Sequence, residues 1–120
     1  MLLEKLEDLE LKIEINLLKL INSKLEIFVN LKRVHIFISG KVQGVYFRQS
    51  MKETAEKNNV KGWVKNLPDK RVEAVLEGED SNIDAVIDWS RFGPPGAMVE
   101  DLKILNENSS KELLDFEIIP

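Results

Sequence analysis

Apolar positions along this chain recur with two different periods, and the changes of period divide it into elements. Leu2, Leu6, Leu9, Ile13, Asn16 and Leu20 follow steps of four and three. That is the seam of an amphipathic helix or short coiled coil, with Asn16 as its polar interruption. Leu11, Ile13, Ile15 and Leu17 alternate instead, a strand-like pattern inside the same stretch. The periodicity predicts helix to about Ser23, and Leu25–Leu31 reads as a strand or a buried connector. Residues 1–33 are thus expected to be an N-terminal, helical extension, and residues 34–120 a separate body.

In the body, Val34–Ser39 is a β-branched-rich strand on which His35 alternates outward without an evident partner or role. Phe47, Met51, Thr54, Ala55 and Asn58 share one helical face, and Asn58–Asn59 closes that helix. Val60–Leu67 is a second strand, with Gly62, Val64 and Asn66 on one face and Lys61, Trp63 and Lys65 on the other. Leu67–Lys70 turns the chain into a third strand, Arg71–Gly78. Ser81 is expected to cap a helix whose buried face is Ile83, Val86, Ile87 and Ser90. Phe92–Gly96 stops it. Ala97–Leu105 is a fourth strand, and Leu113–Ile119 adds a short last one. The order β-α-β-β-α-β predicts an α+β ferredoxin-like sandwich, an antiparallel sheet with two helices on one face. That fold hosts enzymes, sensors and RNA binders, so function has to come from particular residues.

Composition narrows the chemistry. The 120 residues hold no cysteine and one histidine. Disulfide scaffolds, thiol nucleophiles, thiolate zinc sites and histidine-rich metal sites are excluded. Net charge is −4, and residues 1–33 are neutral with six basic and six acidic side chains, so the body carries the whole excess. An acidic body argues against a nucleic-acid surface, and no apolar run is long enough to span a membrane. The leucines of the N-terminus are interrupted by Glu4, Glu7, Asp8 and Glu10, unlike a signal peptide, which makes the cytoplasm the expected location.

One stretch stands out: Gly40-Lys41-Val42-Gln43-Gly44-Val45-Tyr46-Phe47-Arg48, between the first strand and the first helix of the body. Its glycines allow a tight turn with converging N–H groups, and the helix start adds unpaired N–H groups and the positive dipole end. Arg48 supplies a planar cation suited to phosphate or carboxylate. Together these predict an anion cradle. The wording resembles the acylphosphatase signature Gly-x-Val-Gln-Gly-Val-x-Phe-Arg at every fixed position. Gly62-Trp63-Val64-Lys65-Asn66 matches the family's second block, Gly-x-Val-x-Asn, and Arg48 and Asn66 lie 18 positions apart, as they do in that family. The resemblance covers about residues 34–120.

The resemblance implies hydrolysis of acyl phosphates to a carboxylate and inorganic phosphate, without metal or cofactor. The loop Gln43, Gly44, Val45, Tyr46, Phe47 and the arginine Arg48 would hold the phosphate, and Asn66 would orient water. An acyl phosphate already has a good leaving group, so placement and charge stabilisation are the chemistry required. Other readings stay open from the residues alone: Arg48 pairing with Glu53 or Glu73, and Asn66 as a turn former. So does a non-catalytic anion-binding or regulatory module of the same fold. The partners expected are a small acyl phosphate and, through the extension, a second copy of the chain or the body itself; nucleic acid and membrane are not. One departure concerns Lys70, where relatives commonly carry glycine in the turn between the second and third strands.

Overall fold

The computed structural model describes residues 2–29, 31–108 and 113–120, with residues 26–29 as backbone alone. The elements follow as α1 (Leu2–Val29), β1 (Leu31–Lys41), α2 (Phe47–Lys57), β2 (Lys61–Asn66), β3 (Val72–Glu79), α3 (Asp80–Ser90), β4 (Met98–Glu107) and β5 (Phe116–Ile118). Two units result, residues 1–30 and 31–120.

The first unit is one unbroken helix of 28 residues. It has no glycine or proline, and the leucine, glutamate and lysine that dominate it are good helix formers. The strand or connector expected from Leu25 is therefore corrected to helix as far as Val29, and β1 begins at Leu31. Alternation at Leu11–Leu17 is overruled by the helix propensity of the stretch around it. Among the described residues no helix is long and apolar enough to cross a membrane.

The second unit has the expected α+β ferredoxin-like layering. Its sheet runs β4-β1-β3-β2-β5. β1 pairs antiparallel with β3 and β4, and β2 antiparallel with β3. The sheet is nevertheless mixed, because β5 lies parallel to β2, with Gly62 opposite Phe116. β4 runs opposite to β1, so a chain that reverses after it reaches the far edge in the same sense as β2. Strand alternation sends Val34, Ile36, Ile38, Val64, Val72, Ala74 and Leu76 to one face. There they meet Phe47, Met51 and Ala55 of α2 and Ile83, Val86 and Ile87 of α3. The helical periods forecast both stripes. The start of α3 differs: Glu79, extended at φ −67° and ψ 149°, takes the N-cap position expected of Ser81, and no side chain caps the helix.

On the opposite face, His35 has the partners that its sequence neighbourhood did not show. Its Nε2 lies 2.9 Å from a Glu73 carboxylate oxygen and its Nδ1 2.6 Å from one of Glu107. The ring stacks on Phe37 at 4.8 Å between centroids. Nearby, the Nε–H of Arg33 donates to the buried Glu77 at 2.7 Å. These contacts tie three strands together.

Candidate active site

Residues 42–46 join β1 to α2 in a tight loop. Gly44 has φ 74°, and a Cβ there would meet nothing within 4 Å, so glycine is needed for the backbone angle rather than for room. Tyr46 also adopts the left-handed region (φ 63°, ψ 26°) and sits at the N-cap of α2, where its carbonyl accepts the first helical bond from the Ser50 N–H at 3.0 Å. The N–H groups of Phe47, Arg48 and Gln49 in the first turn have no intrahelical acceptor, as at any helix start. Buried side chains hold the loop at both ends. Val42 is 1% exposed, and the Phe47 ring packs on Trp89 at 5.2 Å between centroids. Val45, expected in the cradle, turns its side chain against the core.

Asn66 reaches the same place from β2. It is the last residue of that strand, opposite Val72 of β3. β2 and β3 approach closely at Gly62 (φ 143°), where a Cβ would lie 1.8 Å from the Val75 carbonyl oxygen. The Asn66 side-chain oxygen is buried and accepts no hydrogen bond among the described residues. A buried acceptor left without a donor costs roughly 1–3 kcal/mol, and such orphans call for an explanation. Arg48 is exposed. The acids considered as its partners are engaged elsewhere: Glu53 accepts from Gln49 at 3.4 Å, and Glu73 takes His35 and Lys65. Among the described residues Arg48 forms no ion pair.

A pocket of about 460 Å³ opens between these parts, lined by Val42, Gln43, Gly44, Tyr46, Phe47, Arg48, Gln49, Asn66 and Ile118. Arg48 and Asn66, 18 positions apart in the sequence, therefore line one cavity. Of the loop residues singled out in the sequence, Val45 alone does not line it. A second hollow of about 380 Å³ shares Val42, Gln43 and Gly44 with it and adds Gly40, Lys41 and Lys70. Arg48, Lys41 and Lys70 thus surround the loop with positive charge, which suits an anion.

Comparison with known proteins bears on the family. The acylphosphatase family model matches residues 34–118. The chain belongs to the acylphosphatase family. An acylphosphatase of Pyrobaculum aerophilum is 55% identical over 93 residues, covering 77% of this chain and 98% of the relative. One of Pyrobaculum calidifontis is 58% identical over 93 residues, covering 77% of this chain and 84% of its own length. The solved structure of an acylphosphatase from Coxiella burnetii superposes with a TM-score of 0.72 at 38% identity, over 75% of this chain and 94% of that one.

In this acylphosphatase-family chain, Gln43 has a structural task that its place in the motif did not disclose. Its side-chain N–H₂ donates to the carbonyls of Leu67 and Arg71, each at 2.9 Å. That brace joins the loop to the hairpin that carries Asn66. The hairpin turn itself is closed by Leu67 N–H to Arg71 C=O at 2.8 Å and by Lys70 N–H to Leu67 C=O at 3.1 Å. Lys70, noted in the sequence as a departure from the family resemblance, has the left-handed backbone that glycine would favour, with φ 76°. The Arg71 backbone N–H and guanidinium bind the Asp69 carboxylate at 3.1 and 2.8 Å, and hold its pKa below the ordinary carboxylate value. Sequence reasoning also missed Gln49 and Ile118. Gln49 follows Arg48 on the first turn, so its place was legible. Ile118 arrives through the parallel pairing of β5 with Val64, for which no local signal exists.

Proposed function

We propose that the protein hydrolyses acyl phosphates, with Arg48 and the backbone N–H groups of residues 43–47 holding the phosphate and Asn66 orienting the attacking water. The observation that carries this reading is the orphaned, buried Asn66 oxygen in the same pocket as Arg48. A water donating to that oxygen would relieve its missing bond and keep a lone pair for phosphorus. As the new P–O bond forms, the bond between phosphorus and the acyl oxygen breaks, and the carboxylate departs with the electron pair. The water proton passes to the phosphate product. Arg48 and the loop N–H groups stabilise charge that grows on the phosphoryl oxygens, which is where preorganised donors act most strongly. The pocket lining contains no histidine or cysteine, which favours direct attack by water over a phosphorylated histidine or cysteine. The expected substrate is a small acyl phosphate, in keeping with the name its relatives carry.

Benzoyl phosphate hydrolysis by the pure protein with a chelator present tests this. Arg48→Ala should lower turnover on the order of 10²- to 10³-fold. Asn66→Ala should lower kcat while inhibition by inorganic phosphate survives. Full activity in Arg48→Ala refutes the assignment. A folded parent that binds phosphate without turnover would make the site a non-catalytic anion-binding module.

A further inference from the structure

The pocket around Arg48 holds more surface than a phosphate and a water require. Its polar groups already have tasks: Arg48, Asn66 and the loop N–H groups face the reacting phosphoryl group, and the Gln43 amide braces the hairpin. Its apolar and aromatic lining consists of Val42, Tyr46, Phe47 and Ile118. Val42 and Phe47 belong to the core and offer the pocket little area. Tyr46, at 83% exposure, and Ile118, at 36%, supply the apolar surface open to a ligand.

Tyr46 is not explained by the fold. Among the described residues its side chain makes no hydrogen bond and no ring contact. Its backbone is left-handed (φ 63°), a conformation that favours glycine over a bulky residue. Residues held in such backbone collect at ligand-binding sites. The direction of the reaction separates Tyr46 from Ile118. In-line displacement at phosphorus sets the leaving acyl oxygen opposite the attacking water, and so away from β2, which carries Asn66. β5 is paired to β2 with Ile118 beside Val64, so Ile118 stands on the water's side. The Tyr46 ring, on the loop that holds the phosphate, is left for the acyl group. We infer that the Tyr46 side chain covers the acyl group of the substrate, so that the pocket favours acyl phosphates whose acyl group is apolar or aromatic; this rests on the acyl phosphate reading given above. A ring laid on such a group removes apolar area from water and adds ring–ring attraction, while its hydroxyl stays solvated. The contact is the same in bound substrate and transition state, so it lowers KM without raising kcat.

Steady-state kinetics with benzoyl phosphate and acetyl phosphate on the parent, Tyr46→Ala and Tyr46→Phe test this. The two substrates differ in leaving-group reactivity, and a change in the loop would touch both. Each effect cancels when the ratio of their kcat/KM values is compared between variants. Tyr46→Ala should lower the benzoyl-to-acetyl ratio roughly 2- to 10-fold through KM for benzoyl phosphate, the range for loss of one ring contact. Tyr46→Phe keeps the ring and should keep the ratio. A ratio unchanged in Tyr46→Ala, beside a parent that hydrolyses both substrates, overturns the role of the ring and leaves the hydrolase reading intact. So does a ratio lowered equally in Tyr46→Phe, which would assign the effect to the hydroxyl. A folded parent that hydrolyses neither substrate fails the hydrolase reading and this proposal with it.

Discussion

Gln43→Met tests whether the brace between loop and hairpin serves the chemistry or only the fold. The substitution keeps the length and most of the volume of the side chain and removes two donated hydrogen bonds. Both carbonyls retain a backbone donor, Lys70 N–H on Leu67 and Leu67 N–H on Arg71, so no acceptor is orphaned. The stability loss is then that of two net hydrogen bonds, about 1–3 kcal/mol. For a domain of this size that lowers Tm by roughly 5–20 °C. The effect on turnover follows from geometry. Arg48 and Asn66 sit on separate elements, and this side chain hydrogen-bonds the loop to the turn beyond Asn66. A misplacement near 1 Å costs up to about 10²-fold in rate. Urea unfolding and benzoyl phosphate kinetics on the same preparation, at a temperature where the variant is fully folded, give both numbers. The expected result is a lower kcat with inhibition by inorganic phosphate little changed, since Arg48 and the loop N–H groups remain. Loss of stability with kcat intact would show that Gln43 holds the hairpin without positioning the site. No loss of either would refute the brace.

Three further tests concern the hairpin and strand that carry Asn66. Lys70→Gly should stabilise by about 0.5–1 kcal/mol. Relief of a left-handed L-residue, about 1–2 kcal/mol, exceeds glycine's extra chain entropy of about 0.5–1 kcal/mol; an unchanged or lower urea midpoint would contradict this. Asp69, whose pKa is lowered by Arg71, contributes stability that is present above its unfolded value and lost as pH falls through the folded one. Asp69→Asn should accordingly be less stable than the parent at neutral pH and converge with it in strong acid; a gap constant with pH would rule out the carboxylate as its source. Gly62→Ala, which forces a Cβ against the Val75 carbonyl, should cost more than about 3 kcal/mol and reduce activity by displacing β2. Near-parental thermal unfolding would show that the strands can part without cost.

What the sequence disclosed and what it hid divide along physical lines. Where one short period sets burial, the reading matched the fold: the even positions of β1, the Phe47-Met51-Ala55 face of α2, and all four of Ile83, Val86, Ile87 and Ser90 on α3. Arg48 and Asn66 stood out because two short motifs resemble the acylphosphatase blocks; local chemistry alone left Arg48 open as an ion-pair partner and Asn66 as a turn former. Contacts between residues far apart in the chain were invisible. His35 meets carboxylates 38 and 72 residues away, Gln43 reaches across to a turn, and Ile118 enters the pocket through an edge pairing. Element ends were misplaced where two preferences compete. Ser81 has the better capping side chain, yet Glu79, at the end of β3, already has the extended backbone that a cap position requires.

The strand order has a consequence for how the protein behaves when crowded. A sheet ending in β4 and β5 exposes two rows of backbone donors and acceptors to any other extended chain. Neither row invites one. β4 interrupts its apolar residues with Glu100, Asp101, Lys103 and Glu107, while β5 offers three residues and is followed within two by Pro120. Charged, very short or proline-bounded edges resist strand addition. The sheet is thereby guarded against fibril-like stacking, in which strands of many copies would add edge to edge.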